Sequence, residues 1–311
     1  MTDRAWKEMI EEAQKRGFVT LDQLNEVLPA ATTSAAQIED ILSTLSDMGI
    51  HVVDSEEFES EEGEGDEVAI ITGGSRGIGR ATAIAAAARG FRVVVCYASD
   101  EQAAREVVAR IEANNGKAIA VKCDVSEERD IIALFEAADK FGTLGALVNS
   151  AGIVGTASRV DEMSAERIQR MMAVNVTGSM LCAREAVKRM STSHGGKGGV
   201  IVNLSSVASR LGSANTFVDY AASKGAIDSF TIGLGQEVAG EGIRVAAIRP
   251  GLIDTEIHAS SGDPDRAHRL AHTVPMKRVG TAEEIAKTIV WLMSEDASYV
   301  TGAILDVSGG R

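Results

Sequence analysis

The sequence predicts an α/β protein: a Rossmann-type doubly wound parallel sheet, preceded by a small all-α three-helix module. Three observations predict it. From Val68 onward, short apolar runs alternate with helical patterns, and that order demands right-handed crossovers and a parallel sheet. A glycine-rich segment, Thr72-Gly73-Gly74-Ser75-Arg76-Gly77-Ile78-Gly79, stands between the first run and the first helix. The formal charge of −14 sits at one end: residues 1–67 hold 18 Asp+Glu against 4 Lys+Arg, and residues 68–311 hold 27 of each. Two modules of different origin account for that split.

In the first module, residues 4–16 place Ala5, Met9, Ile10 and Ala13 on one helical stripe. Thr20-Leu-Asp-Gln23 and Ser34-Ala-Ala-Gln37 both fit the capping box, in which hydroxyl and amide satisfy two free N–H groups. They open helices over about 20–28 and 34–48. The latter carries Ile38, Ile41, Leu42, Leu45 and Met48, and Gly49 stops it. Ile50–Val53 reads as extended, and acidic residues 54–67 read as a solvated linker. The expected organisation is 1–53, linker 54–67, and 68–311.

In the second module, strands are expected at 68–72, 92–97, 118–123, 146–149, 199–204, 243–248 and 303–306. Helices fill the intervals, including 76–89, 100–114, 127–140, 164–190 and 220–239. In the glycine loop, Gly73 and Gly77 permit a tight turn and a close backbone approach to a phosphate, and Gly79 permits close helix–strand packing. The following helix offers free N–H groups and a positive dipole end to an anion. Tyr220-Ala-Ala-Ser-Lys224 puts a phenol and an ammonium on one helical face. A free tyrosine titrates near pH ~10, and a lysine charge beside it is expected to lower that value.

Further motifs stand in order: Asn149-Ser-Ala-Gly152 after a strand, Asn175 in Met172-Ala-Val-Asn175-Val176, Ser205-Ser206 ending Val200–Leu204, and Pro250-Gly251 after Arg244–Ile248. Together with the glycine loop and Tyr220/Lys224 they resemble the short-chain dehydrogenase/reductase family, over about residues 67–311. The resemblance implies a catalytic tetrad of Asn175, Ser206, Tyr220 and Lys224, with Ser205 the competitor for the serine role. It implies cofactor contacts at Gly73, Ser75, Arg76, Gly77, Ile78, Gly79, Tyr97, Asp124, Val125, Asn149, Ala151, Gly152, Tyr220, Lys224, Pro250, Gly251, Ile253 and Thr255. NAD-binding members usually end the second strand with an acidic residue for the ribose 2′-hydroxyl. Here Tyr97 is near that place and Asp100 comes late, while Arg76 can meet a 2′-phosphate. NADP(H) is therefore favoured over NAD(H).

The activity implied is interconversion of a carbonyl and a secondary alcohol, in the manner of 3-oxoacyl-thioester reductases or sugar and polyol dehydrogenases. A tetramer or dimer is implied with it. Leu252–Val279 resembles the family's substrate-covering segment. Arg266, Arg269, Lys277 and Arg278 are the candidates there for the basic patch that a phosphopantetheine-linked substrate needs.

The run from Lys15 to Pro29, with Gln37–Ile41 and Met48–Val52, resembles region 1.1 of primary bacterial sigma factors across about residues 4–62. In that family the acidic module screens DNA-binding surfaces and sits in the DNA channel of RNA polymerase. The resemblance thus implies a polymerase contact through residues 1–67. It also supplies the rival reading of the whole chain, an NADPH-sensing interaction protein docked on polymerase. No promoter-reading region follows, and an acidic surface repels DNA phosphates, so no direct nucleic-acid binding is expected.

No apolar run reaches the ~18 residues of a membrane span, and no secretory signal precedes the first helix. Cys96, Cys123 and Cys182 lack metal spacing and read as reduced, buried packing residues, so a cytoplasmic location is expected. His268 and His272 stand at i, i+4, but no glutamate follows His268 in the metalloprotease pattern, and no metal site is expected.

Overall fold

Each predicted strand of the second module is apolar on both faces and has to be covered on both. In the computed structural model of the chain it is. The described residues are 66–311 except 258–261 and 264, together with 6, 9, 10, 13, 18–20, 23, 24, 27, 41, 44, 45 and 50–53. The chain divides into two units, 1–64 and 65–311.

The first unit contains two short strands, β1 (Phe18–Thr20) and β2 (His51–Val53), paired in parallel with Val19 opposite Val52. Residues 6, 9, 10, 13, 23, 24, 27, 41, 44 and 45 are helical. Ala13, Val19, Leu24, Leu45 and Ile50 form a small buried cluster, with Trp6, Met9, Ile10 and Ile41 against it. The described residues are thus not all helical, which corrects the all-α expectation. Phe18–Thr20 is too short for a local strand signal, and its partner lies some thirty residues on, so the pairing has no local signature. The Thr20 capping box is present: the Gln23 amide donates to Thr20 Oγ1 at 3.2 Å and the Thr20 amide to Gln23 Oε1 at 3.3 Å. The Ser34/Gln37 box, the Gly49 stop and linker residues 54–65 lie outside the described residues.

The second unit is a seven-stranded parallel sheet in the order β5-β4-β3-β6-β7-β8-β9. Its strands are β3 (Glu67–Thr72), β4 (Arg92–Tyr97), β5 (Ala118–Lys122), β6 (Thr143–Asn149), β7 (Gly199–Leu204), β8 (Ile243–Pro250) and β9 (Ala303–Val307). The main helices are α1 (Gly77–Ala87), α2 (Glu101–Glu112), α3 (Glu128–Asp139), α4 (Ala165–Met172), α5 (Gly178–Met190), α6 (Val218–Val238) and α7 (Ala282–Met293). Strand alternation sorts the core into two layers. Ala69, Ile71, Val93 and Val95 pack with α1, α2 and α7. Val68, Ile70, Val94 and Leu147 pack with α3 and α5. The chain order reverses between β3 and β6, the place where such sheets open a crevice at their carboxyl ends.

The helix expected over 164–190 is interrupted. A π-turn, Ala173–Thr177, separates α4 from α5 and contains buried Asn175. One extra residue per turn re-aims a side chain without ending the helix, and such turns collect at functional sites.

The α3 face rests on Phe135, which is fully buried and lies beneath the Arg189 guanidinium at 5.1 Å from ring centroid. Phe135→Ala should cost ~3–5 kcal/mol. A urea melt should show a lower midpoint with an unchanged slope; a loss under ~1 kcal/mol would mean that α3 collapses to refill the site.

Candidate active site

At the carboxyl end of β3 the chain turns sharply into α1. Gly73 and Gly77 take left-handed backbone, with φ of +63° and +52°. A Cβ on Gly79 would come within 2.2 Å of the Gly73 carbonyl oxygen, so the loop lies directly on the helix's first turn. Arg76 is the N-cap residue and supplies no side-chain cap, and the first turn has no acidic residue. The start of α1 thus borders a cleft of about 360 Å³ without a side-chain cap of its own, and the Glu256 carboxylate lies near Gly77.

That cleft runs from the glycine loop to α6. Of the residues expected to contact cofactor or substrate, Gly73, Ser75, Arg76, Gly77, Ile78, Tyr97, Asp124, Val125, Ala151, Gly152, Ser206, Tyr220, Lys224, Pro250, Gly251, Ile253 and Thr255 all line it. Gly79, Asn149 and Asn175 stand behind the lining. Asn149 supports the sheet: its Nδ2 donates to Asn203 Oδ1 at 2.9 Å and to the Ser179 carbonyl at 3.2 Å. Asn203 in turn donates to Thr231 Oγ1 on α6 at 3.0 Å.

The four tetrad residues converge. Tyr220 and Lys224 occupy the first turns of α6, with the Lys224 Nζ 5.7 Å from the Tyr220 ring centroid. Ser206 stands close enough to the Tyr220 phenol to pull its pKa down, and its hydroxyl accepts from the Ala208 amide at 3.1 Å. Ser205 is turned the other way; it is buried and donates to the Lys224 carbonyl at 3.2 Å. Asn175 grips the loop after β6, with Oδ1 accepting from the Ile153 amide at 2.8 Å and Nδ2 donating to the Ile153 carbonyl at 3.0 Å. It also donates to Ser223 Oγ at 3.0 Å. A Cβ on Gly152 would sit 3.5 Å from Asn175 Oδ1 and 3.6 Å from Lys224 Nζ, so those two polar atoms border one small space.

The electrostatics differ from the sequence expectation. Burial holds the Tyr220 phenol above its ordinary value, and Ser206 and then Arg266 pull it down. The Lys224 ammonium is itself buried, which pushes it down to about 8 against the pull of Asp228. Its Nζ is committed to the Leu204 carbonyl at 2.6 Å. A value of about 8 still leaves the ammonium charged beside the phenol at neutral pH.

Several contributors escaped the sequence reading. Arg170, on α4, reaches Asp124 at 2.9 Å. Burial works to raise the Asp124 carboxyl, but hydrogen bonds from Ser126 and then Arg170 hold it below its usual range. Arg167 makes a two-pronged pair with buried Asp219 at 2.8 and 3.2 Å and donates to the Thr156 carbonyl at 2.7 Å. Asp219 also accepts from the Tyr220 amide at 2.9 Å, so this pair fixes the start of α6. Neither arginine belongs to a local motif, and only the fold brings each to its acid.

Of the four basic-patch candidates, Arg266 lines the cleft. Arg269 pairs with Asp263, Arg278 with Glu284 at 2.6 Å, and Lys277 donates to the His272 carbonyl at 3.1 Å. His268 meets Asp254 at 3.3 Å and His272 the Arg269 carbonyl at 3.0 Å. Among the described residues no cluster of metal-ligating side chains occurs, and no helix is long and apolar enough to cross a membrane. All three cysteines are free and buried.

Residues 73–311 match the family described as enoyl-(acyl carrier protein) reductase, and residues 1–71 match sigma-70 factor, region 1.1. An uncharacterized oxidoreductase of Escherichia coli strain K12, YgfF, is 54% identical over 78% of this chain and 99% of its own length. Glucose 1-dehydrogenase 2 of Bacillus subtilis is 42% identical over 78% of this chain and 93% of its own length. Among solved structures, a short-chain dehydrogenase of Burkholderia cenocepacia J2315 in complex with NADP superposes with a TM-score of 0.72 at 29% identity, covering 79% of this chain and 98% of that one. With its glycine loop, parallel sheet and Tyr220/Lys224 helix, the chain belongs to the short-chain dehydrogenase/reductase family of oxidoreductases acting on alcohols and carbonyls, with a sigma-70 region 1.1 module at its N-terminal side.

Proposed function

We propose that the chain is an NADP(H)-dependent oxidoreductase interconverting a carbonyl and a secondary alcohol, of the 3-oxoacyl-thioester reductase-like or sugar and polyol dehydrogenase-like kind. One observation carries the reading. Tyr220, beside Ser206 and flanked by Lys224, stands in the same cleft as an uncapped helix N-terminus behind a glycine loop.

The chain's residues suit a nicotinamide dinucleotide, which supplies or takes the hydride when bound. The α1 N-terminus and the glycine loop suit its pyrophosphate, and Lys224 and Gly152 border the space suited to a ribose. Arg76 is exposed and, among the described residues, has no carboxylate partner, which leaves its guanidinium for a 2′-phosphate. Asp100 is already spent, since its carboxylate caps α2 by accepting from the Ala103 amide at 2.9 Å. Both facts support NADP(H) over NAD(H).

In reduction, Tyr220 gives its phenolic proton to the substrate oxygen and Ser206 donates a hydrogen bond to the same oxygen. In oxidation both run backwards, and Tyr220 is the base. The bond from Ser205 to the Lys224 carbonyl favours Ser206 over Ser205 for this role. Asn175 holds the loop that closes this end of the cleft against α6. The match of residues 1–71 to region 1.1, together with their acidity, favours a second role for the first module, a contact with RNA polymerase.

Three measurements follow from this site. Wild type should consume NADPH faster than NADH on at least one of a β-ketoacyl thioester, a diketone, a ketose and an aldehyde. Tyr220→Phe should lose at least ~100-fold in turnover while binding NADPH normally; near-full turnover would sink the assignment. The Lys224 charge gives a pH signature. Between about pH 8 and the ~10.4 of an unfolded lysine, the unfolded chain holds a proton that the folded chain has released. Stability contributed at this position therefore rises with pH across that window. Wild type should gain up to ~3 kcal/mol on Lys224→Met between pH 7 and 10.5 in paired melts, and a pH-independent gap would refute the depressed ammonium. Finally, purified polymerase core should retain the full chain but not residues 65–311; equal recovery of both would remove the polymerase role.

A further inference from the structure

The Tyr220 end of the cleft holds two cations that the oxidoreductase reading leaves without a task. Arg266 is half-buried, and its guanidinium lies 5.2 Å from the Phe217 ring centroid. Its side chain has no hydrogen-bond or ion-pair partner among the described residues. Asp263, the acid whose charge acts on Arg266, is paired with Arg269. Arg311 lines the same cleft and is also half-buried. Among the described residues its guanidinium donates to Thr273 Oγ1, at 3.3 Å, while its backbone oxygen accepts from Arg210 at 3.1 Å and from Ser308 at 3.0 Å. The two guanidinium groups repel one another, and Arg266 acts on the Tyr220 phenol through space.

The remaining carboxylates of the cleft cannot answer this charge. Asp100 caps α2, Asp124 is held by Arg170, and Glu256 faces Arg80 at 3.6 Å. Like charges held together in a partly desolvated wall are costly unless an anion joins them. Arginine forks suit planar or tetrahedral oxyanions, and the Arg266 fork lies against the Phe217 ring.

Building on the proposed carbonyl–alcohol chemistry, we propose that Arg266 and Arg311 form a receptor for an anionic group on the substrate. The reacting molecule carries a carboxylate or phosphate at one end, held by the two arginines, and places its carbonyl or hydroxyl at Tyr220 and Ser206. The apolar side chains of Leu211, Phe217 and Ile257 line the cleft and suit a short carbon spacer.

The test is calorimetric binding to the full chain loaded with NADP⁺, using matched probes: 4-oxopentanoate against its methyl ester, and dihydroxyacetone phosphate against dihydroxyacetone. In at least one pair the anion should bind about 10-fold or more tighter than its neutral partner. The pair that shows the preference separates carboxylate from phosphate. Arg266→Met, which keeps an apolar stem over Phe217, and Arg311→Gln should each bring that ratio toward one without shifting NADPH affinity. A wild-type ratio near one in both pairs, or a ratio that neither substitution changes, overturns the receptor. NADPH consumption on the same probes is read separately. An anion preference without consumption supports the receptor and counts against the oxidoreductase reading; consumption without a preference does the reverse.

Discussion

The Thr72 hydroxyl joins the two walls of the cleft. It donates to the Val148 carbonyl at 3.3 Å and accepts from the Ser150 and Ala151 amides, each at 3.0 Å. β3 and β6 are neighbours in the sheet, but their chains leave it in opposite directions, and at that divergence backbone groups lose their ladder partners. One buried hydroxyl satisfies three of them. With the loops thus pinned, Gly73 packs against the Ala151 backbone, where a Cβ would lie 2.9 Å from its Cα. The α1 N-terminus and the loop gripped by Asn175 then keep a fixed separation, and the cleft between them keeps its shape. Tyr220 is held from the opposite side by Asp219 and Arg167.

The sheet was legible because its signals are local and redundant. β4 and β7 fall at the expected residues, since each is built around three consecutive β-branched residues between turn signals. The glycine loop and the Tyr220/Lys224 pair were legible because short spacing on one element survives folding. The illegible parts are non-local. β1 and β2 recognise each other across the first unit, and Arg170 meets Asp124 across 46 positions. Arg311 reaches the cleft because β9 lies beside β8, with Val307 opposite Pro250. The π-turn at Asn175 is illegible for another reason, since its residues have ordinary helical patterning and the extra residue is selected by the loop it grips.

The Tyr220/Lys224 pair shows how proximity in sequence misleads about energy. Spacing put a charge next to a phenol, and Coulomb's law then implied a lowered phenol. Burial acts on both groups at once and in opposite senses, disfavouring phenolate and ammonium alike. Arg266, which also pulls the phenol down, comes from a segment more than forty residues away.

Asn149 and Asn203 stand directly opposite one another in the β6–β7 ladder. Their bond, extended to Thr231, works as a key for strand alignment. Elsewhere along these strands the side chains are interchangeable aliphatics, and a slip of one position would cost little in apolar burial alone. Such a slip would set Asn149 against Val202 or Leu204 and break its bond to Asn203, a penalty of ~1–3 kcal/mol for each polar group left unpaired in a dry layer. Misaligned sheets are thereby rejected during folding, before any ligand has entered the molecule.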